Sequence, residues 1–246
     1  MWDSPRQLSV LALLLALAAT AALAWAVTDW AVRQPFFALR TVIVDGNLAR
    51  TNRAYLETVI REELKGTFFT LNLAAARASL QRVPWVKSVA LRRQWPDRLQ
   101  VTVTEHEPLA RWNDAALVDT EGEQFSADFD GELPQFTGPE GSSVEVTQHF
   151  RDFGATLAPC ALTITELRLS PRGAWGLRTA GSSALAIELG RNAAAERLAR
   201  FATYQARTVG ALASAGTPVD YVDLRYRNGF AVRAPDAATK TARKTG

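Results

Sequence analysis

The chain holds a single cysteine, Cys160, and two histidines, His106 and His149, among 246 residues. One cysteine excludes an intrachain disulfide and any cysteine-rich metal site, and it leaves oxidising and reducing compartments equally open. No spacing of His, Cys and carboxylates suits a metal ion, and neither a nucleophile elbow nor a phosphate-binding glycine loop occurs. His106 stands between Glu105 and Glu107; if the preceding strand continues, its ring projects to the opposite sheet face from both carboxylates, so the three do not converge. A carboxylate pair assembled from distant positions stays open at this level. The reading is of a protein that is not an enzyme, with no catalytic residue, no metal ligand and no cofactor. A formal charge of +3 is mild, and its basic residues are scattered among acids. Without a basic block, nucleic acid is not the expected partner. The cluster Arg92, Arg93, Trp95 and Arg98 mixes base and aromatic, but it reads as a solvated strand end and is assigned no ligand.

Charge is missing altogether from Leu8 to Val27, LSVLALLLALAATAALAWAV. A helix of about 20 residues rises ~30 Å, the thickness of the hydrocarbon core, so residues 8–27 are expected to cross a membrane. Trp2 on one side and Trp25 and Trp30 on the other suit the two headgroup levels. Ala22-Leu23-Ala24 and Ala24-Trp25-Ala26 resemble signal-peptide cleavage sites, yet the run exceeds the usual ~7–15 residues and lacks a clearly basic start, which favours an uncleaved anchor. Arg6 and the amino terminus on one side, and Arg33 and Arg40 on the other, leave the orientation open.

Beyond a linker at 28–35, about 215 residues suffice for two modest domains. Phe36 to Asp45 is rich in β-branched and aromatic residues and ends at Gly46-Asn47, which reads as a strand and turn. Asn52 is placed to cap a helix carrying Tyr55, Leu56, Val59, Ile60 and Leu64 on one face, with Gly66 as its stop. Asn72 caps a second, alanine-rich helix that ends before Pro84. Trp85 to Arg93 and Leu99 to Glu105 read as strands joined through Trp95-Pro96-Asp97, the second burying Leu99, Val101 and Val103. Strand, helix, helix, strand, strand describes one small α+β domain over 36–106.

From Pro108 the texture changes. Short strands at Leu109 to Trp112 and Ala115 to Val118 form a meander about Asn113-Asp114. Leu133 to Gly141, dense in Pro and Gly, reads as a loop, and Ser142 or Ser143 then caps a helix with Val146, Phe150, Phe153 and Leu157 on one stripe. Strands follow at Leu162 to Leu169, Ala174 to Thr179 and Leu185 to Leu189. One long helix is expected from Asn192 to Gly216 on Leu198, Phe201, Val209 and Leu212. Tyr221 to Tyr226 and Phe230 to Arg233 then form a hairpin about Asn228-Gly229, the strongest short hairpin signal. This second domain, 107–233, is expected to be mainly antiparallel β with flanking helices, and 234–246, with Lys240, Arg243 and Lys244, a disordered tail.

The order of these elements, with VDGN at 44–47, VPWV at 83–86, RQWPDRLQVTVTEHEP at 93–108, DTEGEQF at 119–125, LPQFTGP at 133–139 and DYVDLRYRNGFAV at 220–232, resembles the FtsQ/DivIB family of bacterial cell-division proteins along nearly the whole chain. The resemblance implies that 36–106 is a POTRA domain and 107–233 the family's β domain. It also implies a single-pass inner-membrane protein at the division septum, with residues 1–7 cytoplasmic and the bulk periplasmic. It further implies a non-enzymatic scaffold that binds FtsB and FtsL and helps control septal peptidoglycan synthesis, other division proteins being met through the POTRA domain.

A terminal strand leaves an edge of unpaired N–H and C=O groups that accepts a further strand. The family's FtsB contact maps onto Arg225, Tyr226, Asn228, Gly229, Phe230, Ala231, Val232 and Arg233, with Arg172 of SPRGAW in addition. Arg225 is expected to pair with a partner carboxylate, and Tyr226 to offer aromatic area with a polar tip. Taken alone, the same residues also suit an ordinary surface hairpin. The competing functional reading is a POTRA-containing component of an outer-membrane protein translocation system; residues after Glu107 lack the regular ~10-residue amphipathic strands of a membrane barrel.

Overall fold

Helix α1 runs over Pro5–Val32 in the computed structural model, which describes residues 5–181 and 183–233. Trp2 and the expected tail at 234–246 fall outside the described residues. The helix outlasts the apolar run because Thr28 to Val32 contains no breaker, and the Arg33–Asp29 pair at 3.0 Å supports its last turn. Residues 28–32, expected as linker, are therefore helical. The chain divides into two units, Met1–Glu105 and His106–Gly246.

In the first unit Pro35–Phe37 makes a 3-10 turn, so the expected strand from Phe36 shortens to β1, Thr41–Asp45. Then come α2 (Arg53–Glu63), α3 (Leu73–Leu80), β2 (Val86–Gln94) and β3 (Arg98–Glu105). Both caps form as read from sequence: Asn52 accepts from the Tyr55 N–H, and Asn72 from those of Ala74 and Ala75. The sheet order is β1-β3-β2, with β1 parallel and β2 antiparallel to the central strand. Leu99, Val101 and Val103 of β3 meet Leu56, Ile60 and Leu80 of the helices in one buried cluster. Gly46 closes the β1 turn at φ +135°, where a Cβ would collide with the Val103 carbonyl oxygen.

Glu105, the last residue of β3, turns its carboxylate onto the chain ahead of α2. It accepts from the N–H groups of Ala49 (3.1 Å), Arg50 (3.2 Å) and Thr51 (2.7 Å). Burial alone would raise its pKa; hydrogen bonding from Thr51, Arg50 and Ala49 outweighs that and holds it below the ordinary glutamate value.

The second unit carries β4 (Pro108–Trp112), β5 (Ala116–Asp119), β6 (Gln124–Phe125), β7 (Gln135–Thr137), α4 (Ser143–Leu157), β8 (Leu162–Leu169), β9 (Trp175–Gly181) and β10 (Ala186–Gly190). It ends with α5 (Ala194–Tyr204), α6 (Val209–Ser214), β11 (Tyr221–Asp223) and β12 (Ala231–Arg233). They build one nine-stranded sheet in the order β12-β11-β10-β9-β8-β7-β4-β5-β6. Five of its eight pairings are antiparallel. The three parallel ones need longer connections, which β5 and β6 supply between β4 and β7, α4 between β7 and β8, and α5 with α6 between β10 and β11. Helices α4 and α5 lie side by side on β8 and β10, burying Val146, Phe153, Leu157, Leu198 and Phe201.

Three sequence expectations change here. Leu133 to Gly141 is not all loop: Pro134 and Pro139 bracket β7, whose Phe136 is fully buried and which pairs in parallel with β4 on one side and β8 on the other. Turn residues set only the ends of so short a strand. The long helix expected from Asn192 starts instead after Ala193, in the left-handed region at φ 54°, and breaks at a 3-10 turn, Gln205–Arg207. Thr208 Oγ1 donates back to the carbonyls of Tyr204 and Gln205, and the re-phased chain then buries Val209. The terminal hairpin does not turn tightly on Asn228-Gly229. Its register, Asp223↔Ala231, leaves Leu224 to Phe230 as a loop.

Candidate functional site

β12 ends the sheet. It pairs with β11 on one side and, among the described residues, with nothing on the other, and all three of its residues are exposed. Arg233 is held by its own hairpin, with Nε 3.5 Å from Asp220 and the guanidinium 4.9 Å over the Tyr221 ring. The edge thus presents backbone, Ala231, Val232 and a cation at its outer end.

The loop before it is ordered by three contacts that sequence reasoning missed. Leu224 N–H donates to Glu188 O on β10, Arg200 of α5 donates to the Arg227 carbonyl at 2.7 Å, and Phe230 packs edge-on against Phe201 at 5.5 Å. Phe230, expected on the partner face, is half-buried and serves as an anchor. Tyr226 stands out at 57 % exposure, beside exposed Asn228 and half-buried Gly229.

Arg225 already has a carboxylate partner within the chain. Its Nε and Nη2 donate to the two oxygens of Asp223, at 2.9 and 2.6 Å, and its backbone N–H donates to the same carboxylate at 3.0 Å. The Arg225 bond holds Asp223 below the usual aspartate range, and Asp223 raises the guanidinium further above neutrality. These bonds tie the start of the loop to the last residue of β11, while the rest of the guanidinium stays exposed. Asp223 is buried and lies within the YVDLRY run, but a two-residue spacing in a strand places both side chains on one face without saying that they pair.

Arg172 lies at the exposed tip of the β8–β9 hairpin. The registers Gly190↔Trp175, Glu188↔Asp223 and Asp223↔Ala231 bring that tip and the 224–230 loop to the same end of the sheet. Between them the strands carry the ion pairs Arg178–Glu166 (3.0 Å) and Arg168–Glu188 (2.7 Å). Edge, loop and charged face together suit recognition of an extended polypeptide.

A second polar cluster sits at the start of this unit. His106 Nδ1 is 2.9 Å from Asp119 Oδ2, and the ring stacks on Phe125 at 4.3 Å. Glu123 brings a third ligand atom within 4.8 Å of the other two. Asp119 is fully buried with both oxygens engaged, Oδ2 by the imidazole and Oδ1 by the N–H groups of Glu121 and Glu123, so the cluster pins the β5–β6 turn. Glu107 contributes its carbonyl to Thr120 N–H.

Comparison with known proteins gives two family models. "POTRA domain, FtsQ-type" matches residues 37–106, and "Cell division protein FtsQ/DivIB, C-terminal" matches 110–225. The second stops at Arg225, so Tyr226 to Arg233 lie beyond it. The chain is similar to "Cell division protein FtsQ" of Burkholderia pseudomallei (strain K96243), 39 % identical over 95 % of this chain and 94 % of that protein. It is 35 % identical to the protein of the same description from Nitrosospira multiformis over 95 % of this chain and 99 % of that protein. For that of Escherichia coli (strain K12) the identity is 34 %, over 94 % and 85 %. With α1 as its transmembrane helix, a POTRA domain and the family's C-terminal domain in sequence, the chain belongs to the FtsQ/DivIB family of cell-division proteins.

Proposed function

We propose that this chain is a non-enzymatic, single-pass inner-membrane scaffold of the division machinery, its N-terminus cytoplasmic and both folded domains periplasmic at the septum. In this reading the C-terminal domain binds FtsB by strand addition at β12, FtsL joins through FtsB, and the complex helps set when septal peptidoglycan synthesis begins. Family membership supports the division role. The observation that carries the binding mode is the exposed, one-sided β12 at the end of the sheet.

A three-residue strand offers few main-chain bonds. At a net ~0.5–1.5 kcal/mol each they fall well short of the ~8 kcal/mol of micromolar affinity. Side chains must supply the rest, and Tyr226, exposed on a loop held by Arg200, Asp223 and Phe230, is the aromatic anchor that interfaces favour. Arg172, at the same end of the sheet, extends the contact.

The test is binding of the full chain, in nanodiscs, to a peptide spanning the periplasmic part of FtsB. Tyr226→Ala is expected to weaken binding about thirtyfold or more, the ~2 kcal/mol of an interface hot spot, with circular dichroism unchanged. Equal affinity of the two proteins overturns the assignment of this loop.

A further inference from the structure

The end of the first unit next to α1 carries rings that its core does not use. Only Arg33 and Gln34 separate α1 from the Pro35–Phe37 turn. That turn is stitched to the segment after α2: Phe68 N–H donates to Phe37 O at 2.7 Å, Ala38 and Thr67 form an antiparallel bridge, and Thr67 Oγ1 donates to Val32 O at 2.7 Å. The end of the membrane helix and the Thr67 to Phe69 segment are thus joined by hydrogen bonds.

Five aromatic rings line this junction in a continuous series. Phe36 meets Phe37 at 5.2 Å, Phe37 meets Phe69 at 5.1 Å, Phe69 meets Phe68 at 5.2 Å, and Phe68 meets Trp95 at 6.3 Å. Three of the five remain open: Phe36 at 71 %, Phe69 at 53 % and Trp95 at 68 % exposure. The buried cluster of this unit is complete without them, and a contiguous exposed apolar patch marks a surface that something covers.

The position of the patch says what covers it. A 28-residue helix is ~42 Å long against a hydrocarbon core of ~30 Å, so the last turn of α1 stands in the headgroup layer. Trp25 and Trp30, both exposed, mark that level. Phe36 follows within one turn of the helix end, and the hydrogen bonds above bring Phe68 and Phe69 to the same place. Exposed Arg40 donates its N–H to Asp97 O beside Trp95, and exposed Arg33, paired with Asp29, and Arg98 stand three residues from Phe36 and Trp95 in the chain. Aromatic rings flanked by cations suit a layer of anionic headgroups.

We infer that the Phe36–Phe37–Phe68–Phe69–Trp95 cluster seats in the headgroup layer of the bilayer that α1 crosses. The POTRA domain then lies on the membrane surface and does not swing on a tether. This requires only that α1 spans a membrane, and it holds whichever partner β12 takes.

The test uses the full chain with Cys160→Ser and one nitroxide label, introduced by Phe69→Cys or, as reference, by Glu57→Cys on the exposed face of α2. Both are placed in nanodiscs of phosphatidylethanolamine and phosphatidylglycerol, and collisions with oxygen and with a water-soluble nickel chelate are compared. The label at 69 is expected to show a several-fold higher oxygen-to-nickel ratio than the label at 57, and to lose that excess when Phe36→Ser and Trp95→Ser are added. A label at 69 as open to nickel as the one at 57 overturns the proposal and returns the patch to a protein partner. Quenching of the cysteine-intact chain by brominated lipids, compared with Trp95→Phe, reads the cluster without a label. Removal of Trp95 should remove a quenched component, and identical quenching counts against lipid contact.

Discussion

Phe136→Ala tests whether the short strand β7 holds the second unit together. Phe136 is fully buried, opposes Trp112 on β4 and Leu167 on β8, and packs on Phe150 of α4 at 4.9 Å. Truncating a buried phenylalanine costs ~3–5 kcal/mol, from lost transfer energy plus the cavity left behind. The upper half of that range is expected here, because strands on both sides and a helix above restrict collapse into the void. Against a domain stability of ~5–15 kcal/mol the loss is a large fraction, and at ~2–4 °C per kcal/mol it lowers the melting temperature by about 10 °C. Buried Trp112 and Trp175 report the transition by fluorescence in urea or heat. Thr137→Ala, on the same strand but only half-buried, is the control and should stay within ~1 kcal/mol of wild type. A loss below ~1 kcal/mol for Phe136→Ala, or equal losses for both, would falsify the view that β7 joins the two halves of the sheet.

Gly46→Ala should destabilise the POTRA domain by about 2–4 kcal/mol, since a positive φ and the Val103 carbonyl leave no room for a Cβ; an unchanged denaturation midpoint would refute this. Glu105→Gln should cost ~1–3 kcal/mol at neutral pH by weakening its hold on Ala49, Arg50 and Thr51. Because the folded pKa of Glu105 lies below the ordinary value, its contribution is present above that value and disappears as pH falls through the folded one. The gap between wild type and variant should therefore close on acidification in a urea titration, and a constant gap would exclude the ionic account. Asp223→Asn should loosen the 224–230 loop and weaken FtsB-peptide binding about tenfold with little change in the sheet, whereas unaltered binding would show that the Arg225 clamp does not shape the site.

Much of this fold is legible where local chemistry acts alone. Asn52 and Asn72 cap the helices expected of them, and Leu99, Val101 and Val103 alternate into the core as period two requires. Asn113-Asp114 turns with both φ positive, at 46° and 60°, a conformation these two residue types tolerate, and the Ala115 N–H closes the turn on the Trp112 carbonyl. The same reasoning misplaced Asn228-Gly229, because its preference for a tight turn is small beside the combined hold of Asp223, Glu188, Arg200 and Phe201 on residues 224–230. β7 likewise reads as loop in the sequence, since a three-residue strand bracketed by prolines carries no period and owes its state to neighbours on both sides.

The membrane helix, the two-domain order and the strand-helix-helix-strand-strand succession followed from hydropathy, periodicity and caps, each a property of a few adjacent residues. Tertiary structure alone decided that β12 is, among the described residues, an edge of the nine-stranded sheet, that Arg225 pairs with Asp223, and that Phe36, Phe37, Phe68, Phe69 and Trp95 meet in one series. Those outcomes depend on pairings between residues distant in the chain. Which strand takes which neighbour is set by the summed burial of the whole sheet, and no window of sequence contains that sum.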